Sequence, residues 1–273
     1  MNNGKARVLL TGDFLMEIKI ETYTPGQNEP LSAKLLADNI KDLDIGVPYA
    51  EMLRNRVAGG AKEVCTDNYY IALANDDFAA RLWTGWGNHK NAVANFGHFN
   101  TLETLRGKGI GRRVMDFWKS DIDSLSNPPL AIFCTAAKMH HDNLYSPYGF
   151  RWANGECAVG PLYMPLGNSP ETFSEFCEVY YSDTENITMR PATVDWRHEI
   201  DCLLKFALLL YGEKLALGEI TTLEERLVKD NAKDMYLLFS DDEKVVGWAH
   251  KNGEKFDVQL YPKYRNIKIK EEF

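Results

Sequence analysis

A glycine-rich basic stretch is the part of the sequence whose residue types could bind a ligand most directly. Residues 105–113, LRGKGIGRR, hold three glycines at alternate positions among four basic side chains. A turn of this kind that enters a helix exposes backbone N–H groups without carbonyl partners, and the helix dipole adds partial positive charge there. The stretch therefore predicts a site for phosphate oxygens, which the backbone can approach closely where glycine has no side chain. A helical pattern follows at once, with apolar residues at three- and four-residue spacing: Val114, Phe117, Trp118, Ile122 and Leu125.

The spacing of the glycines separates the kinds of phosphate loop. A P-loop, G-x-x-x-x-G-K-[ST], is not present, and a dinucleotide fingerprint, G-x-G-x-x-G, fails because Arg112 stands where its third glycine belongs. The pattern that fits is R-x-x-G-x-G, formed by Arg106, Gly109 and Gly111. This pattern resembles the pyrophosphate loop of the GNAT-type N-acetyltransferases, which hold acetyl-CoA there.

A second motif in the right order strengthens the resemblance. Residues 129–136, PLAIFCTA, predict a short buried strand, and a helix-length segment follows. Tyr145, Gly149 and Phe150 then fill the Y-x-x-x-G-F pattern that is common in GNAT proteins at this place. The resemblance covers residues from about Phe14 to Leu166.

The resemblance implies roles for individual residues. Tyr145 stands where the family's tyrosine often protonates the CoA thiolate, and either His98 or Glu103 could act as the base, directly or through water. The strand before the loop would pair with the pantetheine arm, and the loop's N–H groups would take the pyrophosphate. Lys108, Arg112 and Arg113 could add charge-assisted contacts or face solvent. The residues implied in binding acetyl-CoA, the co-substrate, are Phe99, Asn100, Thr101, Leu102, Arg106, Gly107, Lys108, Gly109, Ile110, Gly111 and Arg112.

The segment before Tyr145 departs from the family pattern. The family usually carries an asparagine and an alanine where this chain has Lys138 and His141. Pro147 should also shorten the helix before Gly149. His140 and His141 are adjacent, so their side chains diverge on a helix, and no third ligand is apparent. We therefore expect no metal site.

The remaining patterns predict the elements that position these residues. The expected order is a strand near residues 15–20, two helices between residues 30 and 57, strands over 69–73, 79–86 and 91–101, then loop, helix, strand, helix and a last strand over 158–166. Residues 75–77, NDD, predict the hairpin turn. The predicted fold class is α+β, a three-layer GNAT-type arrangement with a mixed, mostly antiparallel twisted sheet flanked by helices. We expect residues 1–13 to form a loose, irregular N-terminal segment (a lead-in) and residues 14–166 to form the acetyltransferase-like domain.

A smaller α+β unit is predicted for the C-terminal part. Residues 167–187 read as a connector with one short helix over 173–180, and 188–273 as a partial GNAT-like repeat with strands at 187–193, 235–239 and 245–248. Helices are expected over 200–211 and 223–228. Arg265 corresponds to Arg106, but Asn266, Lys268 and Lys270 stand in place of the three glycines. The repeat should therefore shape the substrate cleft or be structural. Whether it forms its own sheet or extends the first is left open.

Composition limits the class of protein. The chain has 273 residues, 45% of them hydrophobic, and a net charge of −8. No basic block beyond the loop suggests nucleic acid, no apolar run suggests a membrane, and five scattered cysteines suggest a reducing cytoplasm. We expect a cytoplasmic N-acetyltransferase acting on a small-molecule or peptide amine. A non-catalytic acyl-CoA-binding or sensing protein and a transferase of a longer acyl group stay open, as does a homodimer.

Overall fold

Two β-sheets organise the chain. The computed structural model describes residues 6–8, 16–41, 47–193, 196, 198–200, 207, 211–212 and 233–271. The first sheet has the strand order β1-β2-β3-β4-β5-β6-β8-β7, and its neighbours are antiparallel except β5 and β6, which are parallel. Its strands are β1 Ala6–Val8, β2 Met16–Tyr23, β3 Cys65–Ala74, β4 Asp77–Gly87, β5 Ala94–Thr101, β6 Ala131–Ala137, β7 Arg151–Trp152 and β8 Val159–Pro165.

Helices cover both faces of this sheet. On one face, α1 (Leu31–Lys41) and α2 (Val47–Val57) pack with Trp83. On the other face, α3 (Ile110–Asp123) packs with Leu82. Successive residues of a strand point to opposite faces, so β4 contributes to both cores. The predicted three-layer arrangement and the mixed, mostly antiparallel sheet are confirmed.

The hairpin between β3 and β4 shows why its turn could be read from the sequence. Asn75 and Asp76 both have positive φ, 51° and 69°. Two consecutive residues of this kind form the type I′ turn that matches the twist of the flanking strands, and Asn and Asp tolerate it better than most residues. The predicted turn is confirmed, with Asp77 already in β4.

The second sheet is separate from the first. Its order is β12-β11-β10-β9-β13. The helix α5 (Phe173–Tyr180) begins with a capping box between Thr172 and Glu175, and its range confirms the short helix predicted over 173–180. One core nevertheless joins both sheets, because Phe133 and Tyr163 from the first pack with α5 and the second. The strands are β9 Ile187–Pro191, β10 Met235–Ser240, β11 Val245–Asn252, β12 Lys255–Leu260 and β13 Ile269–Glu271.

Several boundaries differ from the predictions. Residues 1–13 contain the edge strand β1 and so are not only a loose lead-in. The second of the two predicted helices was expected near residues 49–57, but α2 begins at Val47, because Pro48 is accepted in a first turn. The strands β7, β12 and β13 were not predicted. The helices expected over 200–211 and 223–228 lie outside the described residues, apart from Ile200, Ala207 and Tyr211.

The segment between β6 and β7 is the largest difference. Instead of one regular helix, it has a short turn α4 (Lys138–His140), a π-helical turn (His141–Tyr145) and a 3₁₀ turn (Ser146–Tyr148) that contains Pro147. Among the described residues, no helix is both long and apolar enough to cross a bilayer.

Candidate functional site: a gap between two parallel strands beside a glycine loop

The parallel strands β5 and β6 separate soon after they meet. They pair at Ala94 with Ile132 and at Asn95 with Phe133. Beyond these two pairs, β5 continues to pair with β4, and β6 continues to pair with β8. The later half of β5 therefore has one edge that is not paired with β6. Free backbone groups on such an edge can hydrogen-bond an extended ligand as a further strand would.

The glycine loop lies at the end of β5, next to this gap. A 3₁₀ turn (Glu103–Leu105) leads from β5 to Arg106, and α3 starts at Ile110 with Gly109 as its N-cap. Gly107 and Gly109 have φ of +76° and +75°. A Cβ added at either would meet no described atom within 4 Å. Backbone conformation, not crowding, favours glycine here, and the outer surface of the loop is open.

Several contacts hold the glycine loop and the start of α3 against β5 and against the 3₁₀ turn Ser146–Tyr148. The Arg106 Nε donates to the Thr101 carbonyl at 3.2 Å, and the Tyr148 hydroxyl lies 3.2 Å from the Arg112 carbonyl. A Cβ on Gly111 would lie 3.2 Å from Phe99 Cζ and 3.3 Å from Thr101 Oγ1, so α3 approaches β5 closely at this glycine. The loop is therefore braced from both sides, and a ligand would meet a preformed surface.

The predicted acetyl-CoA-binding residues differ in which of their groups, side chain or backbone, could contact a ligand. Lys108 and Arg112 are exposed. The Ile110 side chain is buried in the core, so only its backbone can face a ligand. The Leu102 N–H donates to the Ala79 carbonyl on the β4 side, so this group does not face the gap. The Thr101 carbonyl, which accepts from Arg106, points away from β4.

Tyr145 reaches across the gap from the segment after β6. Its ring packs edge-on against Phe96 of β5 at 5.5 Å between centroids and lies 5.8 Å from Phe150 and 6.4 Å from Phe99. Its hydroxyl makes no hydrogen bond to any residue that the structure describes, and burial raises its pKa above the ordinary value. A protonated hydroxyl that has not been used within the fold is a donor available to a ligand.

His98 lies on the opposite side of β5 from Tyr145. The pairing of β4 with β5 slips here, because Arg81 faces Asn100 while Trp83 faces Gly97, which leaves an extra residue on β5. This β-bulge gives His98 a φ of +52° and places its ring 5.1 Å from that of Trp83. Glu103 is exposed in the 3₁₀ turn after β5. The two candidate bases, His98 and Glu103, are therefore about five residues apart in the sequence, near the end of β5 that borders the gap.

The departures from the family pattern form a local network of ion pairs and hydrogen bonds. Lys138 Nζ lies 2.9 Å from Asp142 and 2.5 Å from Glu156, and His141 Nδ1 lies 2.8 Å from Asp142. The His141 ring also packs on Trp152 at 4.8 Å. Within the described part of the chain, no three His, Cys, Asp or Glu side chains are grouped as a metal site requires.

A buried polar cluster beside His98 was missed by the sequence reasoning. It contains Asp67, Trp83, Arg56 and His198, which come from β3, β4, α2 and the C-terminal half. A weak signal was available in β3, since Asp67 and Asn68 interrupt an otherwise apolar strand. No local pattern could pair Arg56 with His198, because they are 142 residues apart.

Comparison with solved structures gives neighbours among the acetyltransferases. They include a GNAT-family acetyltransferase from Streptococcus pneumoniae (13% identity, TM-score 0.38, 54% of this chain and 100% of that one). A spermidine N-acetyltransferase chimera from Vibrio cholerae has 13% identity and a TM-score of 0.38 over 54% and 95%. An N-acetyltransferase from Thermoplasma acidophilum in complex with coenzyme A has 11% identity and a TM-score of 0.36 over 54% and 99%. A scan of family models and a search of curated protein sequences each give no match.

Proposed function

We propose that this chain is an acetyl-CoA-dependent N-acetyltransferase that acts on a primary amine of a small molecule or peptide. The observation that carries the proposal is the position of the open glycine loop at the start of α3, directly beside the gap between β5 and β6. A loop that can hold phosphates and an unpaired strand edge next to it suit the two ends of coenzyme A, its pyrophosphate and its pantetheine arm.

The loop would hold the pyrophosphate through backbone N–H groups between Gly107 and Arg112. These groups lie at the N-terminus of a helix of 14 residues, where the dipole favours negative charge. The exposed side chains of Lys108 and Arg112 would add charge-assisted contacts. The pantetheine amides would pair with the free edge of β5 near Phe99 and Thr101, and the thioester would then lie near Tyr145.

The transfer needs a base on one side of β5 and a hydrogen-bond donor on the other. His98 or Glu103 takes a proton from the acceptor ammonium, directly or through water, and the amine nitrogen attacks the thioester carbonyl carbon. A C–N bond forms and the C–S bond breaks. The sulfur receives a hydrogen bond and a proton from Tyr145, and the second proton that the attacking nitrogen loses restores the Tyr145 hydroxyl, directly or through water. Placing the two reactants in one gap supplies much of the rate, because the step becomes effectively intramolecular.

We further infer a domain over residues 14–166, a connector over 167–187 and a partial repeat over 188–273. The second sheet supports the repeat, because a 3₁₀ turn (Pro262–Tyr264) followed by Arg265 takes the place of the turn before Arg106. After Arg265 the described chain leads into β13 and not into a helix, which supports our expectation that the repeat has no second phosphate site. We expect the protein in the cytoplasm, where acetyl-CoA is made and used, and either a monomer or a homodimer is compatible with the proposal.

Release of free thiol from acetyl-CoA, measured over a panel of polyamines, aminoglycoside-like compounds and peptide amines, tests this function. We expect amine-dependent thiol release and a product mass increased by one acetyl group. Binding of CoA without thiol release for any amine would instead indicate an acyl-CoA-binding or sensing protein. Faster release from a longer acyl-CoA than from acetyl-CoA would indicate a different acyl donor.

A further inference from the structure

Four side chains form a buried polar cluster on the α1/α2 face of the first sheet. The Trp83 Nε1 donates to Asp67 Oδ1 at 2.8 Å, and Arg56 Nη1 lies 3.3 Å from Asp67 Oδ2. The other guanidinium nitrogen, Arg56 Nη2, is 3.0 Å from His198 Nε2. All four side chains are buried, with at most 5% exposed. Buried charges of this kind are tolerated when each has a partner. Removing one partner leaves the other buried charge or polar group unpaired.

The contact with Arg56 also fixes the state of His198. A guanidinium can only donate hydrogen bonds, so His198 Nε2 must accept and carries no proton. The ring is therefore neutral, with its hydrogen on Nδ1. A neutral imidazole can lie against the face of an indole without placing a second cation beside Arg56.

Trp83 links this cluster to the β-bulge. Its ring lies 5.8 Å from that of His198 and 5.1 Å from that of His98. A Cβ on Gly85 would come within 2.6 Å of Trp83 Cζ2, so this glycine leaves the space that the indole occupies. The indole is held at its nitrogen by Asp67 and neighbours both imidazole rings.

We propose that Arg56 and His198 are positioning residues that set the orientation of His98 through Trp83, so that the C-terminal half completes the acceptor side of the site. This inference rests on the proposed function, and within it on His98, not Glu103, as the base for the acceptor amine. It assigns a role to the C-terminal half without a second active site, because His198 of that half contacts Arg56 and neighbours Trp83, whose ring lies beside His98 in the β-bulge.

The test replaces His198 with leucine, which removes the acceptor for Arg56 but keeps an apolar body against Trp83. We expect kcat/KM for the amine to fall by about 10- to 100-fold, the range that a small misplacement of a reacting group can produce, with CoA affinity unchanged. His198→Gln returns a hydrogen-bond acceptor and should recover part of the loss. The His98 ring proton signal, assigned by its loss in His98→Gln, should move in His198→Leu because the ring current of Trp83 acts on it.

Glu199→Gln is the matched control. Glu199 is also buried and comes from the same C-terminal segment, but its Oε1 accepts from the Val93 N–H and it is not part of the Trp83 cluster. It should lower the melting temperature and leave amine kcat/KM and the His98 signal near those of the wild type. Equal effects of His198→Leu and Glu199→Gln, or an unmoved His98 signal in folded His198→Leu, would overturn the positioning role. The His98 signal can be measured even if no amine is acetylated. It therefore tests the positioning role independently of the proposed acetyltransferase function.

Discussion

Tyr145 combines a packed aromatic ring with a hydroxyl that the described structure does not use. Burial raises its pKa above the ordinary value of about 10, so the hydroxyl is protonated at neutral pH and can donate. The same shift makes it a weaker acid relative to a thiol, whose pKa is about 8.5. Its contribution is therefore best understood as a hydrogen bond to the sulfur as charge develops there. Complete proton transfer to the thiolate is uphill by itself and is coupled to return of a proton from the attacking nitrogen to the Tyr145 oxygen.

Tyr145→Phe tests this role, because it keeps the ring contacts with Phe96 and Phe150 and removes only the hydroxyl. We expect turnover to fall by about 10²-fold, at the lower end of the range for proton-transfer groups, while CoA affinity and melting temperature stay close to the wild type. Steady-state thiol release and calorimetry measure the two quantities. A loss of less than about threefold in the folded variant would make Tyr145 a packing residue and assign the proton donor to water or another group.

At the scale of elements, β4 is shaped around one of its own side chains. Gly85 on this strand leaves the space that the indole of Trp83 occupies. At Gly85 an added methyl group would come 2.6 Å from both the indole and Asp67 Oδ1, and the burial of this cluster leaves little room for adjustment. At Gly97 the same methyl group would make an ordinary contact at 3.7 Å.

We therefore expect Gly85→Ala to destabilise the protein by about 1–3 kcal/mol, the usual cost of overpacking, and Gly97→Ala to cost clearly less. Urea unfolding of both variants measures the difference in the free energy of unfolding. Since both substitutions add one methyl group to a strand glycine, the pair controls for changes in the unfolded chain. Equal costs for the two variants would show that the indole is not confined as described.

The elements that the sequence predicted well are those with a regular pattern of burial. The strands β3, β4, β10 and β11 and the helix α3 bury one face or both, so their apolar residues recur at a readable spacing. The edge strand β12 was missed because its residues are mostly exposed. The strand β7 was missed because two residues are too few to show an alternating pattern.

Residues at the candidate site were predictable only where a local motif names them. Glycine loop positions and Tyr145 belong to such motifs. The positive φ of His98 arises from a register shift between two strands, and the pairing of Arg56 with His198 arises from long-range packing. Neither leaves a local signature, because each depends on residues far away in the chain.

At the scale of the whole molecule, the two sheets share a core but differ in their loops. Phe133 and Tyr163 of the first sheet pack into the same cluster as Phe239 and Trp248 of the second, so the C-terminal half supports the first sheet directly. Among the residues that the structure describes, a strand that leads into a glycine loop and a helix start occurs in the first sheet. In the second, Asn266, Lys268 and Lys270 lead into β13, which pairs with β9. One coenzyme A per chain is therefore expected.

The central claim, that the loop at the start of α3 holds the pyrophosphate of coenzyme A, is tested most directly by calorimetric titration of CoA into the wild type, Gly109→Asp and Gly253→Asp. Gly109 and Gly253 have similar φ, +75° and +65°, and open space around them, so the two variants carry matched backbone strain. Asp at position 109 places a carboxylate on the N–H groups meant for phosphate, and losing such charge-assisted bonds should weaken binding by about 10- to 100-fold. We predict one site per chain, weakened binding in Gly109→Asp and wild-type binding in Gly253→Asp; unchanged affinity in folded Gly109→Asp, or a stoichiometry near two, would contradict the account.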